Sequence, residues 1–458
     1  MNFTAQPQNF KHTHAQERTE SACAAATSTK KQPPDIAISE HVASVTVTHP
    51  AQPFRHRLGN PADKSGSLLR FSKKQRLRKK ARQAYRAREF EDQALIRRYL
   101  PDTQEYERCR ECGRSLGSVA AVLRDAISGK TSMGGVRTCG KQSLCKVCAR
   151  SIRTRRAEQV TRGVQVVSER GGSSILLTLT APHYLTEAYA LKPFHEAFEV
   201  NWQRLLDRRK LARALDELGL YKSGRIKTYD ILFNPDNGWH VHIHCELLFK
   251  KQLTQAQAEA LHSIITDAWQ HIWRTTTKRY QRVLSIPSRE RGVNLKLGFD
   301  PAYISKVGYE LAAPDTKSDS HGIDPLDLVK SALSHPDGSI MRKRLLAAWY
   351  EWCDFAKSKN RLLCCWGKGL AAELGVLDAE QSDEEIVEED SEEPQGEVCL
   401  LTARLCNGLN YIGMTGRLLN AAEDAGAQGV ADFLDALGFI YEVKYPRGDG
   451  VPLFAPMP

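Results

Sequence analysis

Residues 238–249, which read GWHVHIHCELLF, place three histidines at alternate positions among large apolar residues. Side chains two apart on a β-strand share a face, so His240, His242 and His244 would line one face of a strand. Burying three imidazoles costs free energy unless something binds them, and imidazole is a common metal ligand. The pattern therefore favours a metal site over ordinary core histidines.

A second strand is predicted just upstream of the histidines. Residues 229–233 (YDILF) are β-prone, and residues 234–238 (NPDNG) are typical of a turn. If Phe233 pairs with Trp239, Asp230 falls opposite His242 and shares its face. A slip of one residue would move Asp230 to the other face. Imidazole and carboxylate ligands together suit Mn²⁺ or Mg²⁺ with open positions, and zinc stays an alternative.

Three segments of the sequence follow one another as residues 175–183 (ILLTLTAPH), 242–244 (HIH) and 302–308 (AYISKVG). In this order they resemble the motifs of HUH endonucleases, and in particular of plasmid rolling-circle replication initiators. The first is similar to the family's first motif, the second fits its His-hydrophobic-His signature, and the third is similar to its Tyr-x-x-Lys motif. With the cysteine pairs described below, the resemblance covers roughly residues 105–378.

The resemblance implies an α+β fold, with an HUH-type antiparallel sheet flanked by helices. It implies that Tyr303 attacks a backbone phosphate and forms a covalent 5′-phosphotyrosine, with Lys306 holding the phenolate or the phosphate. Tyr309 is a competing nucleophile without a lysine at the same offset. The Mn²⁺ or Mg²⁺ ligands would be His242, His244 and Asp230, with His240 as a further candidate. Such a protein nicks and rejoins one DNA strand at a rolling-circle origin.

Five of the twelve cysteines lie between residues 109 and 148. Two Cys-x-x-Cys pairs predict a zinc site with four thiolate ligands: Cys109, Cys112, Cys145 and Cys148. Cys139 could replace one of these ligands or simply be buried. A closed site of four cysteines leaves no position for a reactive water, so the zinc is interpreted as structural. The initiator family also resembles this chain here, with cysteine pairs ahead of its first motif.

The net charge of +11 favours a polyanionic partner. The basic charge is concentrated in a predicted helix, and we interpret its cations as DNA-binding, against the alternative of a solvated basic helix. The DNA-binding candidates are Lys73, Lys74, Arg76, Arg78, Lys79, Lys80 and Arg82. A second basic helix start at residues 150–156 could contact DNA or equally brace the catalytic domain.

Composition, the cysteine pairs and the family resemblance together predict six segments in the chain. They are a disordered tail (1–62), a basic helix (63–100), a small zinc-binding unit (104–165), an HUH endonuclease domain (166–378), an acidic linker (379–396) and a small C-terminal domain of unknown role (397–458). Within the endonuclease domain, helices are predicted at about 189–218, 253–281 and 324–358.

We expect neither a signal peptide nor a membrane-spanning segment. The N-terminus lacks the apolar segment of a signal peptide, and no apolar run approaches membrane-span length, so we expect a cytoplasmic protein with no membrane partner. No Walker-type loop is present, so a host helicase and polymerase would be recruited. The DNA partner would be an origin with a single-stranded or hairpin nick site.

Two alternatives stay open at this point. A single-tyrosine HUH transposase or relaxase would use the same chemistry in different biology. A zinc-containing DNA-binding regulator without catalysis would account for the cysteines and the basic helix. It would leave the histidine strand and the Tyr-x-x-Lys motif unexplained.

Overall fold

The computed structural model describes residues 64–186, 190–280, 285–298, 322–358, 364–392, 395–445 and 450–457. Side chains are described over the same ranges except residues 64–75, 277–280 and 390–395. The predicted N-terminal tail lies outside these residues, as do Tyr303, Lys306 and Tyr309.

The described chain contains helices and strands in mixed order, and the predicted α+β class is confirmed. The helices are α1 (Lys64–Tyr99), α2 (Glu107–Glu111), α3 (Lys146–Glu169), α4 (Leu191–Leu206), α5 (Arg209–Glu217), α6 (Gln255–Tyr280), α7 (Leu328–Leu333), α8 (Ile340–Ser358), α9 (Leu370–Leu374), α10 (Asp383–Glu392), α11 (Ala403–Tyr411) and α12 (Thr415–Ala436). The strands are β1 (Val119–Asp125), β2 (Thr131–Gly134), β3 (Ser173–Thr180), β4 (Leu220–Asn234), β5 (Gly238–Phe249), β6 (Val293–Gly298), β7 (Cys365–Trp366), β8 (Gln395–Thr402), β9 (Tyr441–Lys444) and β10 (Leu453–Pro456).

The strands form two five-stranded sheets. The first, which we call the histidine sheet, has the order β6-β3-β5-β4-β7, and all of its neighbours are antiparallel. The second, the terminal sheet, has the order β2-β1-β8-β10-β9 and is antiparallel except between β10 and β8. An antiparallel sheet flanked by helices agrees with the predicted architecture.

The two faces of the histidine sheet have different cover. On one face the apolar residues of β5, Val241 and Ile243 among them, belong to the main core with the aromatic side chains of α4 and α6. On the other face α3 and α9 pack over the end of the sheet that carries Leu248, in a second core. The histidines lie on this second face, away from the main core.

The turn between β4 and β5 sets the register of the hairpin. The Asn234 side chain accepts hydrogen bonds from the backbone N–H groups of Asp236 and Asn237, at 2.8 and 3.0 Å. Gly238 then adopts a φ of 80°, which glycine reaches without steric cost. The result pairs Phe233 with Trp239 and Asp230 with His242. The predicted register is confirmed.

The terminal sheet joins parts of the chain that the sequence analysis had treated separately. Strand β1, from the predicted zinc-binding unit, pairs with β8 from the predicted C-terminal domain. Its core includes Val122, Leu401 and Phe454, all buried. The described C-terminal residues therefore complete a sheet that begins in the cysteine region.

The acidic stretch, predicted as a flexible linker, is instead folded in the described residues. It contains helix α10, whose Ile386 and Val387 are buried at 1% and 6% exposure in the main core. These two apolar residues among the carboxylates give the helix a face to bury, which a solvated linker would lack.

The predicted helical regions are found with some interruptions. Helix α1 covers the predicted basic helix, and α6 matches the predicted helix at about 253–281. The other two regions are each divided, into α4 and α5 and into α7 and α8. In the part of the chain that the structure describes, no helix combines the length and apolar character needed to cross a membrane.

Candidate functional site

Four histidine rings form a ladder on the second face of the histidine sheet. The rings of His240 and His242 have centroids 3.9 Å apart, and those of His242 and His244 lie stacked at 6.0 Å. His183, from the loop after β3, stacks on His240 at 4.3 Å. The Nδ1 of His183 lies 3.0 Å from the backbone oxygen of Asn237, which ties this loop to the hairpin turn. Partial burial lowers the pKa of His183, which favours a neutral ring.

His244 is the most enclosed of the three strand histidines, with 6% of its surface exposed. Its Nε2 lies 3.7 Å from Oδ2 of Asp230, which is 7% exposed. Its Nδ1 lies 3.0 Å from the hydroxyl oxygen of Thr178 on β3. The ring is thus held between a carboxylate and a hydroxyl.

Two polar atoms beside His244 lack hydrogen-bond partners among the described residues. They are Oδ1 of Asp230 and Oγ1 of Thr228, whose side chain is only 2% exposed. Buried polar atoms are normally satisfied, and an orphaned carboxylate oxygen next to imidazoles is suited to a bound cation. The residue types of this cluster therefore fit a divalent metal.

The histidine cluster is more open than the cysteine cluster. In the cysteine cluster, the four sulfur atoms all lie within 4.8 Å of one another. Among the described residues, no other group of three or more potential metal ligands is as compact. The donor atoms of the histidines and Asp230 are spaced more widely than that.

The described residues on either side of the predicted nucleophile contact the histidine sheet, and Tyr303 and Lys306 themselves are outside the described residues. The described chain stops at Gly298, the last residue of β6. It resumes next to β4, where Ile323 and Phe233 exchange backbone hydrogen bonds of 2.8 and 2.9 Å. Phe233 pairs with Trp239, the residue before His240.

Four buried thiols form the cysteine cluster: Cys112, Cys139, Cys145 and Cys148. The Sγ of Cys148 lies 3.6 Å from those of both Cys112 and Cys139, and the Sγ atoms of Cys145 and Cys112 are 3.7 Å apart. Four sulfurs around a tetrahedral zinc with bonds of about 2.3 Å would be about 3.8 Å apart. The four cysteines could therefore bind a metal ion such as zinc.

The cysteine cluster differs by one residue from the predicted ligand set. Cys139 takes the fourth place, whereas Cys109 is buried nearby but outside the four-thiol group. Hydrogen bonds from the thiols of Cys112, Cys139 and Cys145 hold the pKa of Cys148 well below its usual value. A stabilised thiolate of this kind is the protonation state that binds metals.

The C-terminal residues support the cysteine cluster directly. The Asn410 side chain on α11 donates a hydrogen bond of 3.1 Å to the backbone oxygen of Cys112. At Gly113, with a φ of 83°, a β-carbon would lie only 2.6 Å from Oδ1 of Asn410. Arg97 on α1 binds the same asparagine through two hydrogen bonds of 2.8 Å. The first Cys-x-x-Cys pair is thereby fixed between α1 and α11.

The predicted DNA-binding residues of α1 fall into different environments. Lys79 and Arg82 form ion pairs with Asp424 and Glu423 of α12, and the Lys79–Asp424 distance is 2.7 Å. Arg76, Arg78 and Lys80 are exposed. The side chains of Lys73 and Lys74 lie outside the described residues.

The arginines at the start of α3 are paired within the protein. Arg150 and Arg153 contact Glu89 and Asp324 at 3.3 and 3.8 Å. In addition, Arg155 pairs with Glu389 at 2.9 Å and Arg156 with Asp383 at 3.1 Å, both in the acidic helix α10. These contacts agree with the bracing interpretation of this basic segment.

Sequence reasoning missed Thr178 and Thr228, which flank His244 from β3 and β4. Thr178 belongs to the first motif, but only the register between β3 and β5 places it opposite His244. The ladder position of His183 likewise depends on the loop after β3. Thr228 could have been found from the confirmed hairpin register alone.

Comparisons with known proteins give one curated relative. The chain is 28% identical over 208 residues to Protein rep of Streptomyces lividans, a match that covers 38% of this chain and 45% of that protein. The chain thus spans less than half the length of this relative. No family model and no solved structure matches it. The homologue confirms the resemblance to the Rep family that the motifs indicated.

Proposed function

We propose that this protein initiates rolling-circle plasmid replication by nicking and rejoining one DNA strand at its origin. The observation that carries the proposal is the pairing of Asp230 with His242, which adds a carboxylate to the histidine face of β5. The similarity to Protein rep supports a role in replication. The resemblance of the three motifs to those of HUH endonucleases supports the proposed nicking and rejoining reaction.

The metal ligands in this proposal are His242, His244 and Asp230, with His240 at the outer end of the ladder. The orphaned oxygen of Asp230 supports this assignment. A bound Mn²⁺ or Mg²⁺ would polarise the scissile phosphate. The carboxylate and the ring nitrogens would hold that ion beside the sheet.

Tyr303 is the proposed nucleophile. Its phenolic hydroxyl gives up its proton to solvent and the oxygen forms a bond to phosphorus, the bond from phosphorus to the 3′-oxygen breaks, and the departing oxygen takes up a proton to become a 3′-hydroxyl. Lys306 would stabilise the phenolate. The phosphotyrosine retains the energy of the broken bond, so attack by a 3′-hydroxyl can reverse the step and rejoin the strand.

The cysteine cluster is proposed to hold a structural zinc through Cys112, Cys139, Cys145 and Cys148. All four thiols are buried, which leaves no open position for a substrate or a reactive water. Its position between α1 and α11 supports a bracing role.

DNA binding is proposed for the exposed cations of α1. Lys79 and Arg82 are left out of this set because they form ion pairs with α12. Arg76, Arg78 and Lys80 would neutralise backbone phosphates and give salt-dependent affinity. The residues Lys73 and Lys74 extend the same basic run in the sequence.

A covalent-adduct assay tests the proposal. Purified protein is mixed with Mn²⁺ or Mg²⁺ and supercoiled DNA carrying the flanks of its own gene, then denatured and run on a gel. The expected result is a strand-specific nick with protein attached to the 5′ end, absent in Tyr303→Phe and present in the matched control Tyr309→Phe. EDTA should also abolish it. DNA binding without an adduct, on DNA that contains the origin, would favour the regulator instead.

A further inference from the structure

His244 lies between two threonines, one on each neighbouring strand. Thr178 on β3 and Thr228 on β4 are both directly paired with it. Only the Thr178 hydroxyl reaches the ring, 3.0 Å from Nδ1. The opposite ring nitrogen, Nε2, faces Asp230. The contact with Thr178 selects one of the two orientations that an imidazole ring can take.

The distance between His244 Nε2 and Asp230 Oδ2 is 3.7 Å, which is too long for a hydrogen bond. A proton on Nε2 would therefore have no hydrogen bond to Asp230. A proton on Nδ1 has the Thr178 oxygen as its acceptor. Thr178 is half-buried, so its own hydroxyl hydrogen can reach water.

We infer that Thr178 is a positioning residue that accepts the Nδ1–H of His244 and thereby leaves the lone pair of Nε2 directed toward Asp230. Metal-binding histidines commonly have their second ring nitrogen fixed in this way, because that bond sets the tautomer and the ring orientation. The inference rests on the proposed metal site for its purpose. Its geometry rests on the contacts of His244 with Thr178 and Asp230.

The chain offers a matched control on the same strand. Thr180 shares the face of Thr178 and pairs with His242, but its hydroxyl donates to the backbone oxygen of Arg291 at 2.7 Å. Thr180→Val therefore removes an equivalent hydroxyl that is hydrogen-bonded to the backbone and not to a histidine ring. Thr178→Val keeps the β-branched shape that suits a strand, so it should fold. Thr178→Ser restores the acceptor.

The first measurement is the ¹⁵N spectrum of the imidazole rings in metal-free, histidine-labelled protein at a pH where the rings are neutral, with the His244 signals identified by their loss in His244→Gln. The wild type, Thr178→Ser and Thr180→Val should show the Nδ1–H tautomer at His244. Thr178→Val should shift the ring toward the Nε2–H form. An Nε2–H ring in the wild type, or an unchanged ring in Thr178→Val, would overturn the inference.

Manganese binding, followed by the electron paramagnetic resonance signal of free Mn²⁺, separates this inference from the proposed function. Thr178→Val should weaken binding roughly 10- to 100-fold, and Thr180→Val should not. Wild-type protein that binds no Mn²⁺ would contradict the proposed metal site. The tautomer measurement would still decide the role of Thr178.

Discussion

One inner strand pair of each sheet shows a contrast in how far apart in the sequence the two strands lie. The histidine sheet is built around a hairpin, β4 and β5, whose turn occupies residues 234–238. The central pair of the terminal sheet, β1 and β8, joins residues 119–125 to residues 395–402. The first arrangement brings Asp230 and His242 together through a short turn, whereas the second joins distant parts of the chain. Under the proposed function, a change in the histidine sheet should alter the nicking rate. A change in the terminal sheet should alter the free energy of unfolding.

The largest expected effect is on catalysis and comes from the histidine sheet. His242→Ala should lower the nicking rate about 10³-fold, because a metal supplies several kcal/mol of charge stabilisation in the transition state. Rates are measured on supercoiled origin DNA at saturating Mn²⁺. His271→Ala, an exposed histidine on α6, is the control. Equal rates for the two variants would contradict the proposed ligand role.

The terminal sheet should respond in the opposite way. Phe454→Ala removes a side chain that is 2% exposed and should lower the free energy of unfolding by about 3–5 kcal/mol. The nicking rate per folded molecule should stay unchanged. Urea unfolding combined with the adduct assay measures both quantities. Met457→Ala, at a half-exposed position, should change stability by less than about 0.5 kcal/mol.

The ligand set of the cysteine cluster can be separated from its surroundings. Cys139→Ala should lose the bound zinc and, with it, about 3 kcal/mol of stability, the contribution of a ligand present at about 100 times its Kd. Cys109→Ala should retain one zinc per chain. Zinc content after dialysis and the urea midpoint are measured for both. Zinc retained by Cys139→Ala but lost from Cys109→Ala would restore the set predicted from the sequence.

The smallest effect is expected on the basic helix. Lys80→Ala should reduce the slope of the logarithm of duplex-DNA affinity against the logarithm of salt by about 0.9, the value for one phosphate contact. Lys79→Ala should change it less, because Asp424 already pairs with this lysine at 2.7 Å. Fluorescence anisotropy between low and physiological salt measures both. If Lys79→Ala reduced the slope as much as Lys80→Ala, DNA would have to displace Asp424 of α12 from Lys79.

The same distinction explains which parts of the structure the sequence could predict. The position of Asp230 opposite His242 follows from a turn of a few residues, so local patterns were enough. The contact of Thr178 with His244 depends on the pairing of β3 with β5, which no local pattern encodes. The choice of Cys139 over Cys109 depends on how the loop after β2 folds back. The acidic helix could be predicted only by recognising that Ile386 and Val387 form a buried face.

Because β8 and β10 come late in the chain, the terminal sheet can be completed only near the end of protein synthesis. Every described strand of the histidine sheet has been translated by residue 366, so that sheet can form while the chain is still growing. Strand β1 is made far earlier but has to wait for residues 395–402 before its second edge is covered. Asn410, which holds Cys112, arrives later still. The ribosome thus synthesises all the described strands of the histidine sheet before Asn410, which holds the cysteine cluster.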